Sequence, residues 1–121
     1  MKKRGKYNAV RVKSNGITFD SKAEYKRYLK LYQLNKAGII TDLKVHPKFK
    51  IEASGVKICT VELDFMYHVD GQTIYEDVKG CVTAMSRLKK KLVEAFYNIE
   101  VIWLDAHGRI LTVRKNVVRK K

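Results

Sequence analysis

Three features of this 121-residue sequence predict an α/β (α+β) domain: a mixed central sheet flanked by helices, with an N-terminal β-hairpin. Two Asx-Gly dipeptides, Asn15-Gly16 and Asp70-Gly71, sit between runs of alternating apolar and polar residues, a strong hairpin signal. Two stretches, one between Asp20 and Gly38 and one over 84–97, carry apolar residues at helical spacing. The run over 99–104, Ile-Glu-Val-Ile-Trp-Leu, is nearly all apolar, as a strand buried on both faces is.

The elements follow in order. Residues 9–13 alternate apolar and basic, Asn15-Gly16 turns the chain, and Ile17-Thr18-Phe19 resumes the alternation, with Val10, Val12, Ile17 and Phe19 inward. Asp20-Ser21 opens a helix whose apolar face holds Leu29, Leu31, Tyr32 and Leu34 with Ala23, Tyr25 and Tyr28. Gly38 ends it, because a helix C-terminus favours a residue that adopts positive φ. Residues 43–51 read as one strand with Pro47 marking an edge or kink. Residues 59–69 read as a second strand, and 72–79 return from Asp70-Gly71 as a third. Helix 84–97 places Leu88, Leu92, Ala95 and Phe96 inward, strand 99–104 follows, and Ile110 to Val113 is expected as a last edge strand.

The chain reads as one domain over 1–121, with no Gly/Ser-rich linker. Its net charge is +14, from 26 Lys+Arg against 12 Asp+Glu. That balance points to a polyanionic partner. The charge is unevenly laid out. Met1 to Phe19 and Gly108 to Lys121 each hold six basic residues and no acid, giving a basic arm (1–8) and a basic tail (114–121). Five of the acids fall between Glu62 and Asp77. A phosphate binder gains nothing from acids at its centre unless they hold a metal or do chemistry. A ribosomal-type or architectural binder with solvated acids is the plain alternative. No apolar run is long enough for a membrane span, and no secretory signal pattern follows Met1, so a cytoplasmic protein is expected. Cys59 and Cys81 lack metal-ligand spacing, and His46, His68 and His107 are scattered enough to read as ordinary polar residues.

The central hairpin permits a register. With Asp70-Gly71 as its two turn residues, Val69 pairs with Gln72, and Asp64 then lies directly opposite Asp77. The two share a face, with Cβ atoms about 4.5–5.5 Å apart. Lys79 is two residues on and points the same way. Opposed like charges destabilise a sheet, so the pair needs a cation. Two readings stand open: a divalent ion with oxygen ligands, or a salt-bridge cluster neutralised by Lys79, with Glu62 across from it. Glu76 lands opposite Phe65 on the apolar face, where it needs a partner. The register separates Cys59 from Cys81, so no disulfide is expected.

Asp64, a hairpin turn and Asp77-Val78-Lys79 together resemble the PD-(D/E)XK nuclease signature. The ordered set is fuller: Phe19-Asp20-Ser21-Lys22-Ala23-Glu24 opening a helix, His46-Pro47-Lys48-Phe49, Leu63-Asp64-Phe65, Glu76-Asp77-Val78-Lys79-Gly80, then a Lys-rich helix. From about Lys6 to Trp103 the chain is similar to small phage-encoded endonucleases that carry a domain of unknown function and are grouped with Holliday-junction resolvases. The resemblance implies a restriction-endonuclease-like core in which Asp64, Asp77 and Glu24 hold Mg²⁺, or Mn²⁺ in its place. Lys79 assists the attacking water. It further implies a phage or prophage gene in a bacterial host, branched DNA as substrate, and a homodimer, since two symmetric cuts need two sites. Two departures stand out: Leu63 replaces the signature Pro, and Asp77 stands where Glu is common. Glu24 has a competing role, because Ser21-x-x-Glu24 is also a helix capping box. Lys22, Lys48, Arg87, Lys89 and Lys91 are the expected DNA-backbone contacts. The rivals are a nicking or recombination nuclease of the same superfamily, a catalytically silent DNA-binding or architectural protein, and an RNA-binding protein.

Overall fold

A computed structural model describes residues 11–111, so the basic arm, the basic tail and residues 112–113 of the expected last strand lie outside the described residues. Within them the chain is a mixed α+β fold of eight strands and two helices. In order these are β1 (Val12–Ser14), β2 (Ile17–Phe19), α1 (Lys22–Lys36), β3 (Thr41–Val45), β4 (Lys48–Ala53), β5 (Val56–Glu62), β6 (Phe65–Val69), β7 (Gln72–Val78), α2 (Ala84–Tyr97) and β8 (Val101–Leu104). No described helix is long and apolar enough to cross a membrane.

β1 and β2 form the expected N-terminal antiparallel hairpin. The central sheet runs β3-β6-β7-β8; its first two pairings are antiparallel and β7–β8 is parallel. The parallel strand is reached through α2, as parallel neighbours require a long crossover. The β6–β7 register is the one the turn dictates: Val69 pairs with Gln72 and Phe65 with Glu76. Asp70 and Gly71, at φ 51° and 76°, supply the two positive-φ positions of a type I′ turn.

Two expected strands are each broken in two. The stretch 43–51 bends at His46-Pro47 into β3 and β4, and 59–69 breaks at Leu63-Asp64 into β5 and β6. A third hairpin, β4–β5, turns at Ser54-Gly55 (φ 51° and 77°) and begins its return at Val56. The two breaks face each other. Pairs Phe49↔Val61 and Lys48↔Glu62 before the bend, and Val45↔Phe65 after it, keep one register. β3–β4 and β5–β6 are therefore two halves of a single bent ribbon, tied at the bend by His46 N–H to Asp64 O (2.9 Å) and Leu63 N–H to Pro47 O (3.0 Å).

Each half of the ribbon belongs to its own core. Phe19, Tyr28, Leu31, Ile40, Phe65 and Tyr67 form one, beneath α1. Ile51, Val61, Leu63, Val93, Val101 and Trp103 form the other, beneath α2. Phe65 is fully buried, a side chain whose removal from water is worth about 1.5–3 kcal/mol. α2 does not bury the face its spacing indicated. Val93 is its buried residue, with Leu92 packed beside it, while Leu88, Ala95 and Phe96 are exposed. The hairpin β4–β5, absent from the sequence reading, supplies the surface α2 packs on and so selects its face. On α1, likewise, Leu29 and Tyr32 are exposed. Ile110 makes only an isolated bridge to Leu104.

Candidate active site

The bend in the ribbon places three side chains in a row. The register through the bend puts His46 across from Asp64, and the β6–β7 register puts Asp64 across from Asp77. Asp64 lies just before β6, its N–H donating to the Glu76 carbonyl (3.2 Å). Its carboxyl accepts from Val78 N–H at 2.7 Å. Asp77 and Lys79 form an ion pair at 3.1 Å. The Lys79 N–H bonds to Leu104 O (2.8 Å), which fixes its place beside β8.

The carboxyls crowd one another. Burial first, then the charges of Asp77 and Glu24, push the Asp64 pKa up to about 9. Burial also raises Asp77, against the opposing pull of Lys79. Lys79 pairs with Asp77, and among the described residues no lysine or arginine pairs with Asp64 or Glu24. That deficit of positive charge fits a divalent cation, since oxygen ligands stripped of water are stabilised by an ion among them.

Glu24 joins this group from α1. Ser21 is the helix N-cap, accepting from Glu24 N–H at 3.1 Å. Glu24 Oε1 accepts at 2.9 Å from the N–H of Asp20, the residue before the N-cap, so Glu24 anchors the chain entering the helix instead of closing the reciprocal capping box on Ser21. The second oxygen remains for the site: Oε2 lies 2.7 Å from His46 Nε2. Anchoring and site roles coexist, one carboxylate oxygen to each, with Glu24 only 2% exposed.

His46 is the residue the sequence reading passed over. It has φ 60°, a left-handed conformation for a non-glycine residue directly before Pro47. Both its own Cβ and the following proline ring disfavour this region. Such a residue costs on the order of 1–3 kcal/mol and persists only where its surroundings hold it. Its ring packs on Phe19 (centroids 5.9 Å apart), and its Nδ1 lies 3.7 Å from Glu62. One ligand atom each from Glu24, His46 and Asp64 lie within 4.8 Å of one another. An ion with bonds near 2.1 Å spans ligand pairs about 3.0–4.2 Å apart, so the group can close on one ion with small adjustments. The signal in the sequence was the His46-Pro47 step in the middle of an alternating strand.

The family model described as "Protein of unknown function (DUF1064)" matches residues 4–109. The chain belongs to that family. No curated protein matches it.

Beside the row, this DUF1064 chain has a cleft of about 380 Å³ whose lining includes Glu62, Asp77, Lys79, Thr83, Ser86, Lys89, Lys90 and Trp103. Of the five expected DNA contacts, Lys89 lines it. Lys48 stands at its edge, 4.0 Å from Glu62. Lys22, Arg87 and Lys91 are exposed and are not among its lining residues. Lys90 does line it, paired with Glu94 at 2.9 Å. Glu62 does not neutralise Lys79 as the hairpin register implied. β5 ends at Glu62 and pairs it with Lys48 across β4. Glu76 finds the partner it needed: Arg27 of α1 grips it with two hydrogen bonds, and the Tyr67 hydroxyl donates to it. Both cysteines are free, Cys59 against the second core and Cys81 exposed.

Proposed function

We propose that this protein is a metal-dependent endodeoxyribonuclease of PD-(D/E)XK type that hydrolyses phosphodiester bonds in branched DNA. The observation that carries the reading is the convergence of buried Glu24 and Asp77 and half-buried Asp64 with Lys79 at the edge of a lysine-lined cleft. The net charge of +14 supplies the long-range attraction to DNA. The order Glu24, Asp64, Asp77-Val78-Lys79 on a helix and a hairpin supports a restriction-endonuclease-like core. Preference for four-way junctions, action as a homodimer and a phage origin rest on the resemblance to junction resolvases.

Asp64, Asp77 and Glu24 would hold Mg²⁺ or Mn²⁺, and the ion supplies Lewis-acid stabilisation of charge on the phosphate. The chain's own residues do the rest. Val78 N–H fixes the Asp64 carboxyl, and Asp20 N–H fixes Glu24, so both acids are oriented in advance. Lys79 can stabilise negative charge developing on the phosphate oxygens or orient the attacking water. Lys89 and the Thr83 end of α2 offer a phosphate-binding wall.

A second reading is favoured by one observation. The Asp77–Lys79 ion pair satisfies both groups without a metal. On that reading the protein is a silent DNA-binding or architectural relative of the nucleases. The deciding experiment is cleavage of labelled four-way junction and matched linear duplex, in Mg²⁺, in Mn²⁺ and in chelator, by wild type and Asp77→Asn. Metal-dependent paired cuts on the junction, lost in the variant, are expected. Cutting of both substrates alike would keep the nuclease and remove the junction preference. Tight binding without cleavage in either metal would establish the silent binder.

A further inference from the structure

Outside the carboxylates, the residue that the site holds most tightly is His46. Its ring is fixed on one side by buried Phe19, and its Nε2 is aimed at Glu24 Oε2 at 2.7 Å. Its Nδ1 faces Glu62 Oε2 at 3.7 Å. Its backbone is locked across from Asp64 by the 2.9 Å hydrogen bond, in a left-handed conformation that an ordinary strand residue does not adopt. A histidine whose ring only met solvent would need none of this.

We infer that His46 is a nitrogen ligand that joins Glu24 and Asp64 on the ion, so that the centre is a mixed imidazole–carboxylate site, selective for Mn²⁺ over Mg²⁺. This deepens the nuclease reading and rests on it for the choice of ions. The warrant is ligand chemistry. The three ligand atoms lie within 4.8 Å of one another. Mg²⁺ holds to oxygen ligands, whereas Mn²⁺, though it too favours carboxylates, opens the first-row series whose affinity for nitrogen ligands climbs toward Cu²⁺, and so accepts an imidazole beside them more readily. A metal-binding histidine commonly gives its other ring N–H to a carboxylate, which orients the ring. Glu62, whose Oε2 faces Nδ1 at 3.7 Å, is the carboxylate that would take that role on a small approach, with Lys48 opposite it in the ladder.

The test needs no turnover. Mn²⁺ is added to the full chain and pulsed EPR is used to look for ¹⁴N coupling to the bound ion. Coupling is expected in wild type and in His68→Asn/His107→Asn, which leaves His46 as the remaining histidine. Coupling is expected to vanish in His46→Gln. Calorimetric titration should give Mn²⁺ affinity at least about tenfold above Mg²⁺ in wild type, with His46→Gln bringing the two within about threefold. Bound Mn²⁺ without nitrogen coupling in wild type overturns the inference. So does coupling lost in the double variant, which keeps the test decisive even if His46→Gln fails to fold. Nitrogen coupling in a protein that cuts no DNA would uphold this centre and sink the nuclease reading. Metal-dependent cleavage without nitrogen coupling would do the reverse.

Discussion

Arg27 meets Glu76 end to end: Nε donates to Oε1 at 2.8 Å and Nη2 to Oε2 at 2.7 Å. Glu76 is 2% exposed and lies next to Asp77 in the chain, yet the two point to opposite faces of β7. One holds α1 to the sheet, and the other faces the cleft. The hydrogen bond to Glu76 is the main cause that raises the Arg27 pKa. Arg27→Met is expected to destabilise the fold by about 3 kcal/mol, because a buried carboxylate loses its counter-charge. Arg27→Met/Glu76→Gln should recover part of that loss. Urea unfolding checks both, and a single-variant loss under about 1 kcal/mol would show the pair to be dispensable.

Asp64 makes the stability of the fold depend on pH. Its pKa rises from 3.8 to about 9 on folding, so the folded state keeps a proton that the unfolded chain releases. The stability this contributes is complete below about pH 4 and drains away as pH climbs to about 9. A divalent cation favours the charged form and offsets the loss. The metal-free thermal midpoint is therefore expected to fall as pH rises across that window. Mg²⁺ or Mn²⁺ should raise it more at about pH 8.5 than at about pH 6. Asp64→Asn should flatten the slope and remove the metal response. Equal metal shifts at the two pH values would contradict the raised pKa.

The two oxygens of Glu24 can be separated by mutation. Ser21→Ala removes the acceptor for the Glu24 N–H and should cost about 1 kcal/mol of stability while leaving metal affinity nearly intact. Glu24→Gln keeps an oxygen for the Asp20 N–H but removes the charge. It should weaken Mn²⁺ binding by at least about tenfold with a smaller stability change. Thermal melts alongside metal titrations distinguish the two. If both variants lose stability alike and bind metal alike, Glu24 is only a cap.

Among the basic residues, position in the cleft sets the expectation. Lys89→Ala should weaken DNA binding and lower the slope of log affinity against log salt by about 1, as one phosphate contact does. Lys91→Ala, on an exposed part of α2 outside the cleft, should change the slope by much less. Fluorescence anisotropy over a salt series measures both. Identical slopes for the two variants would mean that the cleft does not carry DNA.

Much of this arrangement was legible in the sequence because local chemistry dictates it. Asp70-Gly71 can form a two-residue turn, and that turn alone places Asp64 across from Asp77. α2 occupies the 84–97 that its apolar spacing indicated, and the structure shows Thr83 closing one end with a capping box and Asn98 the other in a left-handed cap. What was illegible depends on distant partners. Alternation runs through Leu63-Asp64 unbroken, so a bend there leaves no trace in the pattern. Ser54-Gly55 is a weaker turn signal than Asx-Gly, and without its hairpin the packing face of α2 could not be known. His46 stood among three scattered histidines, and only the bent ribbon sets it opposite Asp64.

Trp103 is the chain's single tryptophan. It is 3% exposed, pairs across the parallel ladder with Asp77, and has the Lys79 and Lys90 ammonium groups 5.8 and 5.5 Å from its ring centroid. Indole emission responds to nearby charge. The protein therefore carries a native fluorophore at the wall of its own cleft, and an ion or phosphate that draws either lysine away from the ring alters the light it emits. Occupancy of the site can be followed in unlabelled protein, from one residue, in real time.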